Sequence, residues 1–195
     1  MSVTRRRAII VGGLGLAAAP QGIQAVKGQA ATALNPPVGN TEPFINARDY
    51  GVSGNGITDD GAALLEAANA AVTLGYPLAI PATFTMVLGA ALVLPEGLRL
   101  NTNGARFRAL AQTSRIPQIR IGSNTTVTGG IYITTLGGPN GSGLSIQDAT
   151  NVRIDVVDVE STIPGQGSGN VRDNGLNIVR CSYVTIDRAR VKNFD

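Results

Sequence analysis

The chain has no histidine, no tryptophan and one cysteine, and aromatics make up only 4% of its 195 residues. Without histidine no nucleophile–histidine pair exists, which excludes hydrolysis of the Ser-His or Cys-His kind. A single cysteine, Cys181, forms no internal disulfide framework, and without a Cys/His cluster there is no zinc site. Cys181 reads as a packing residue in a turn. Acidic residues are missing before Glu42, which skews the formal charge. Of the 16 Lys and Arg, three are Arg5, Arg6 and Arg7; the remaining 13 balance the 13 Asp and Glu. With no basic patch interleaved with aromatics, nucleic acid is not expected as a partner.

What the chain does have is repetition. Gly143-Leu-Ser-Ile146 followed by Asn151-Val-Arg-Ile-Asp155 recurs as Gly175-Leu-Asn-Ile178 followed by Tyr183-Val-Thr-Ile-Asp187. Leu144, Ile146, Val152, Ile154 and Val159 thus map onto Leu176, Ile178, Val184, Ile186 and Val191. A fainter copy places Ile119, Ile121 and Val127 ahead of Leu144, Ile146 and Val152. Short alternating strands at such spacings predict a stacked repeat. Twenty-five glycines and ten prolines supply its turns.

The first residues read as an address. Thr4-Arg-Arg-Arg-Ala-Ile9 precedes an apolar run from Ala8 to Ala19 that is too short and glycine-rich to span a bilayer, which predicts a cleaved signal. Arg5 and Arg6, followed by Arg7-Ala8-Ile9, resemble the twin-arginine signal and imply the twin-arginine export machinery as a partner. An ordinary secretory signal carrying three arginines is the alternative. Ala31-Thr-Ala33 fits a small-x-small cleavage pattern. The expected organisation is therefore an export signal over 1–33, a linker over 34–43 and a folded domain over 44–195. The processed protein is expected to be periplasmic or secreted, with no membrane anchor.

Within 44–195, Ile45–Tyr50 reads as a short strand and Gly51–Gly56 as a turn. Thr58-Asp59-Asp60 predicts a helix start, with a capping hydroxyl or carboxylate at the positive end of the dipole. Leu64, Leu65, Ala68, Ala71 and Val72 form an apolar stripe at helical spacing, ended by Gly75. Short strands follow over 77–81, 87–88, 91–94 and 98–100. A stack of strands exposes apolar surface at its ends, and an amphipathic helix placed before the first layer is expected to cover one of them. A helix packed on a twisted α/β sheet is the competing arrangement, but no such helix recurs later.

Asp49-Tyr-Gly51, Gly54-Asn-Gly56, Thr58-Asp59-Asp60, the alanine-rich segment 62–71 and Ile80-Pro81-Ala82 together resemble the opening of pectate-lyase-like proteins. Val52 stands where that family usually has alanine and Asn55 where it commonly has aspartate, while Phe84 takes its aromatic position. The resemblance covers roughly 46–84. It implies an all-β fold, a right-handed parallel β-helix (a solenoid) with an N-terminal capping α-helix. It also implies an acidic polysaccharide as partner, bound or acted on by a lyase, hydrolase or epimerase. A lyase of this kind would bind its sugar beside calcium; a hydrolase would use paired aspartates.

If Ile154 and Ile186 point inward, Asp155 and Asp187 point outward on neighbouring strands. They are read either as a shared acid/base or calcium-type site or as two solvated aspartates. Asp158 is expected to stack on Arg190, and Val156 on Arg188. Residues 161–174 interrupt the repeat as a projecting loop in which Arg172, Asp173 and Asn174, with Arg180 nearby, are candidates for holding a sugar carboxylate. An exposed polar turn explains them equally. Compared with polygalacturonase-like members, Asn174 falls where the family has its first catalytic aspartate, and Asp195 falls on the first member of an Asp-Asp pair. The Gly-His-Gly element of those enzymes has no counterpart. Asp195 ends a strand repeat, so the domain is expected to be incomplete. The competing function is a non-catalytic polysaccharide-binding or surface-assembly module, or a fragment without activity.

Overall fold

A computed structural model of the chain describes residues 42–109, 117–135, 142–162 and 175–194. Walking along them, strand β1 (Ile45–Asn46) leads through a 3-10 turn (Ala47–Tyr50) to β2 (Asn55–Asp59) and helix α1 (Gly61–Leu74). Then come β3 (Leu78–Ala79), β4 (Thr85–Leu88) and β5 (Leu92–Val93), followed by β6 (Arg99–Asn101), β7 (Arg106–Ala109) and β8 (Pro117–Ile121). The same order repeats as β9 (Thr126–Thr128), β10 (Ile131–Thr135) and β11 (Ser142–Gln147). The long strand β12 (Thr150–Ser161), then β13 (Leu176–Val179) and β14 (Ser182–Lys192), complete the described residues.

Every pairing among these strands is parallel, and the pairings sort into three ladders. The first runs β1-β3-β6-β9 into the start of β12, the second β2-β4-β7-β10 into its end, and the third β5-β8-β11-β13. Strand β12 joins the first two because Arg153 and Ile154 pair with β9 while Val157 to Ser161 pair with β10. Each pass of the chain therefore visits the ladders in the same order. The fold is mostly strand, all-β apart from one α-helix, and built on parallel pairing.

The core is aliphatic and columnar. Ile45, Leu78, Leu100, Val127, Ile154 and Ile186 are successive register partners along the first ladder. All but Ile186 are almost fully buried. Ile154 and Ile186 pair as the thirty-two-residue repeat predicts, and Leu144 and Ile146 pair with Ile119 and Ile121 on one side and Leu176 and Ile178 on the other. The fainter copy is out of step in one place. Val127 pairs with Ile154, not Val152. Between Ile146 and Ile154 the chain has two left-handed residues, Asp148 and Asn151, where between Ile121 and Val127 it has one, Asn124, and the extra chain there shifts the equivalence. Gly143 and Gly175 open β11 and β13 where a Cβ would overlap Val159 or Val191, so the repeat starts on glycine for steric reasons.

Helix α1 occupies the place in its pass where later passes put a third-ladder strand, and it touches β1, β3, β4 and β5. Its alanines allow close approach, and Leu64, Ala67, Ala68 and Ala71 join the same core cluster as Leu78, Leu88 and Leu92. Val72 is turned outward (36% exposed) and Ala67 takes its place on the buried face. Gly75 closes the helix at φ 71°, its N–H donating to Ala71 and Val72 carbonyls. No helix among the described residues is long and apolar enough to cross a membrane.

Three local expectations are corrected. Only Ile45 and Asn46 are extended; Asn46 Oδ1 accepts from the Arg48 N–H at 3.0 Å and turns the chain. The presumed turn ends early, because Asn55–Asp59 is drawn into pairing with β4. Asp60, at the N-cap position, does not cap the helix. Its buried carboxylate accepts from Ser53 N (2.7 Å), Ser53 Oγ (2.8 Å) and Gly54 N (3.1 Å), while Asp59 Oδ1 accepts from Gly61 N at 3.0 Å. Of the second ladder, the sequence reading finds a strand at 87–88 and the partners Val156–Arg188, Asp158–Arg190 and Val159–Val191, but not β7 and β10.

Two outcomes follow for stability. Ile154→Ala should cost about 2–5 kcal/mol in urea unfolding, and Ile186→Ala no more than about half of that, since only the former is fully enclosed. Asp60→Ala should cost about 1–3 kcal/mol by leaving three donors without their acceptor.

Candidate functional site

Outward side chains of the first ladder form a single polar line. Along it, Asn46, Ala79 and Asn101 are register partners, Thr128 follows, and the register then places Asp155 and Asp187 in the same column. Neighbours in that column are separated by roughly 4.8 Å, the spacing of paired strands. Sequence logic had singled out only its last two members. The signal for the rest is local: in five of six strands the inward aliphatic is followed at once by Asn, Thr or Asp, as in Ile45-Asn46, Leu100-Asn101 and Val127-Thr128.

At the end of the line nearest the helix lies a groove of about 260 Å³. Phe44, Pro77, Ala79, Ile80 and Pro81 give it an apolar lining, and Asn46, Asn101 and Asn103 supply the polar groups. Each amide is half engaged. Asn46 Oδ1 holds the Arg48 N–H, Asn101 Oδ1 holds the Asn103 N–H, and Asn103 Nδ2 donates to the Ile80 carbonyl at 2.8 Å. The Nδ2 groups of Asn46 and Asn101 and the Oδ1 of Asn103 have no partner among the described residues. Two donors and an acceptor against an apolar wall suit a hydroxylated ring.

At the other end, Asp155 and Asp187 fall opposite one another, bracketed by Ile154 with Ile186 and Val156 with Arg188. Two carboxylates about 4 Å apart in water repel by about 1 kcal/mol. Separate partners relieve them here. Arg153 donates to Asp187 Oδ2 at 3.1 Å, and the Gly129 N–H approaches Asp155 Oδ2 at 3.3 Å. Gly129 sits at φ 79° where a Cβ would come within 2.7 Å of the Asn103 nitrogen, so only glycine delivers that N–H. Asp155 Oδ1 and Asp187 Oδ1 have no partner among the described residues.

The other candidate residues are not gathered here. Arg172, Asp173, Asn174 and Asp195 lie outside the described residues, as do Arg5 and Arg6. Arg180 sits at a different corner, where its Nε and NH2 grip both oxygens of Asp148 at 2.5 and 2.7 Å. That fork is the edge a sugar carboxylate would need. Hydrogen bonding from Arg180 holds the Asp148 carboxyl below its ordinary value, and Asp148 in turn raises Arg180. Asp158 and Arg190 pair as expected, with Nε 2.9 Å from both oxygens, and hydrogen bonding to Asp158 raises Arg190. Cys181 packs against the core and its thiol lies 3.3 Å from the Ile146 carbonyl.

No family model, no curated protein and no solved structure matches the chain.

The Asp148–Arg180 pair carries a pH signature. A carboxyl with a depressed folded pKa stabilises above its unfolded value, 3.8, and loses that contribution as pH falls through the lower folded value. The difference in thermal midpoint between wild type and Asp148→Asn should be small, constant from about pH 7 to about pH 5, and gone once acid protonates Asp148.

Proposed function

We propose that this is an exported polysaccharide-acting protein of the pectate-lyase-like type, folded as a right-handed parallel β-helix, with its glycan laid along the outer face of the first ladder. Three parallel ladders visited in constant order, aliphatic columns between them and a helix over the first pass support the β-helix. The right hand follows from the near-universal handedness of parallel crossovers. The arginine-led apolar leader supports export, to the periplasm or beyond.

The observation that carries the glycan reading is the polar line itself. A groove with free amide groups opens onto Thr128, Asp155 and Asp187 without a break in register, so an extended chain crossing the strands would meet a hydrogen-bonding side chain at most of its steps. Such a shape suits a linear polymer better than a compact metabolite.

Chemistry, if performed, belongs to Asp155 and Asp187. One carboxyl protonates a leaving oxygen while the other acts as base or nucleophile, which is the division of labour in glycoside hydrolysis. Calcium, implied for a lyase, does not fit the described residues. They contain no group of three or more converging Asp, Glu, His or Cys, and Arg153 already neutralises Asp187. No step is therefore routed through a metal. The partnered state of both aspartates favours a second reading, a module that binds glycan without cleaving it.

The test is incubation of the exported protein with polygalacturonate and alginate, following new reducing ends, new double bonds and binding. Asn101→Ala should weaken binding roughly threefold to tenfold. If the chain is a hydrolase, Asp155→Asn should lower the rate at least about 100-fold and keep binding. Binding without products would establish the non-catalytic reading, and no binding to any glycan would overturn both.

A further inference from the structure

The second ladder carries its own outward face, and its charge is unevenly compensated. Thr85, Arg106, Tyr132, Asp158 and Arg190 form one column; Val87, itself covered, Arg108, Thr134, Glu160 and Lys192 form the next. At the β12–β14 end every acid has a cation in register: Asp158 is gripped by Arg190, and Glu160 lies opposite Lys192. At the β7 end the pattern fails. Arg106 lies between Thr85 and Tyr132, and Arg108 between Val87 and Thr134, with no carboxylate beside either. Both arginines are exposed. Arg106 makes no side-chain hydrogen bond or ion pair among the described residues, and Arg108 makes one long contact, 3.4 Å to the Gly56 carbonyl. The nearest acids in the register are one strand further out. Asp59 is occupied by the Gly61 and Gly89 N–H groups, and Asp158 by Arg190.

Beside this pair lies an aromatic ring. Tyr132 is half-buried, and its ring lies over Gly130 (φ 86°), where a Cβ would sit 2.9 Å from it. An aromatic with two rotatable bonds loses little entropy on stacking with a sugar ring. The Cα atoms of Arg106 and Arg108, on alternate residues of one strand, stand about 6.6 Å apart along it. Nothing in the fold needs both charges there, and leaving them uncompensated on a flat strand face costs nothing only because water reaches them.

We propose that Arg106, Arg108 and Tyr132 form a second glycan-binding site, specific for a carboxylated sugar: the arginines hold carboxylates through charge-assisted forks and Tyr132 stacks on a ring. This rests on the proposed function for the identity of the polymer, and it locates its acid-reading site on a ladder different from the groove. The first-ladder line recognises hydroxyls; the second-ladder patch recognises charge.

The test uses the full chain with three probes: polygalacturonate, its fully methyl-esterified form and a short DNA duplex. The joint variant Arg106→Gln with Arg108→Gln should weaken polygalacturonate binding roughly tenfold or more, remove most of its salt dependence and leave esterified polymer unaffected. Tyr132→Ala should weaken both polymers. Thermal midpoints of the arginine variants should match wild type, since both side chains are solvent-facing. Polygalacturonate binding within twofold of wild type in the joint variant would overturn the site. Equal arginine-dependent binding of DNA would overturn carboxylate specificity. If neither polymer binds wild type, the glycan reading itself fails; if only Asn101→Ala leaves binding unchanged, the groove fails and this site stands.

Discussion

Everything in this molecule depends on the parallel backbone ladder. Most strands are only a few residues long, and none among the described residues has a hairpin partner beside it in sequence. A strand's N–H and C=O groups are satisfied only by the strand one pass earlier and one pass later, and a buried group left unpaired costs more than any single side-chain contact returns. Because side chains alternate with period two, that one register decides which residues are enclosed and which face water. A slip of one residue would turn the Leu100–Val127–Ile154 column outward and carry Asn101, Thr128 and Asp155 into the core. The hydrophobic columns and the polar line are therefore two results of the same set of hydrogen bonds.

Legibility in the sequence followed the same physics. The first and third ladders could be read because their strands recur with aliphatic pairs in step, as at Ile154 and Ile186 or Ile146 and Ile178. The middle of the second ladder was passed over, although its β12–β14 register was read. Its strand β7 alternates arginine with Phe107 and Ala109, and β10 alternates Ile with Tyr and Thr, so neither resembles its neighbours in composition although both satisfy the same pairing. The Val127 equivalence was misjudged because aliphatics alone cannot distinguish Val152 from Ile154 once a turn gains residues. Thr58-Asp59-Asp60 marks the helix start, but which side chain holds its first N–H is not legible; only three-dimensional proximity brings Ser53 and Gly54 within reach of Asp60 and leaves Gly61 to Asp59.

The candidate site was half visible for a related reason. Asp155 and Asp187 drew notice because carboxylates are chemically loud. Asn46, Asn101 and Asn103 were silent, since a lone asparagine in a turn is ordinary and only the pairing of β1, β3 and β6 gathers them. The arginines of β7 were likewise invisible as a pair, because a balanced total charge hides where the balance fails. In both cases the information was positional: what matters is which residue lies across the ladder, and that is set by strands tens of residues away.

The largest variation in the length of each pass falls at one corner. The link from the second ladder to the third is 89–91 between β4 and β5 and extends to 162–175 between β12 and β13, while the pairing on either side continues in register. Changes of length at this corner are thus mechanically decoupled from both outward faces. The scaffold can accept grafted peptide there, or gain and lose segments during divergence, without re-addressing a single column.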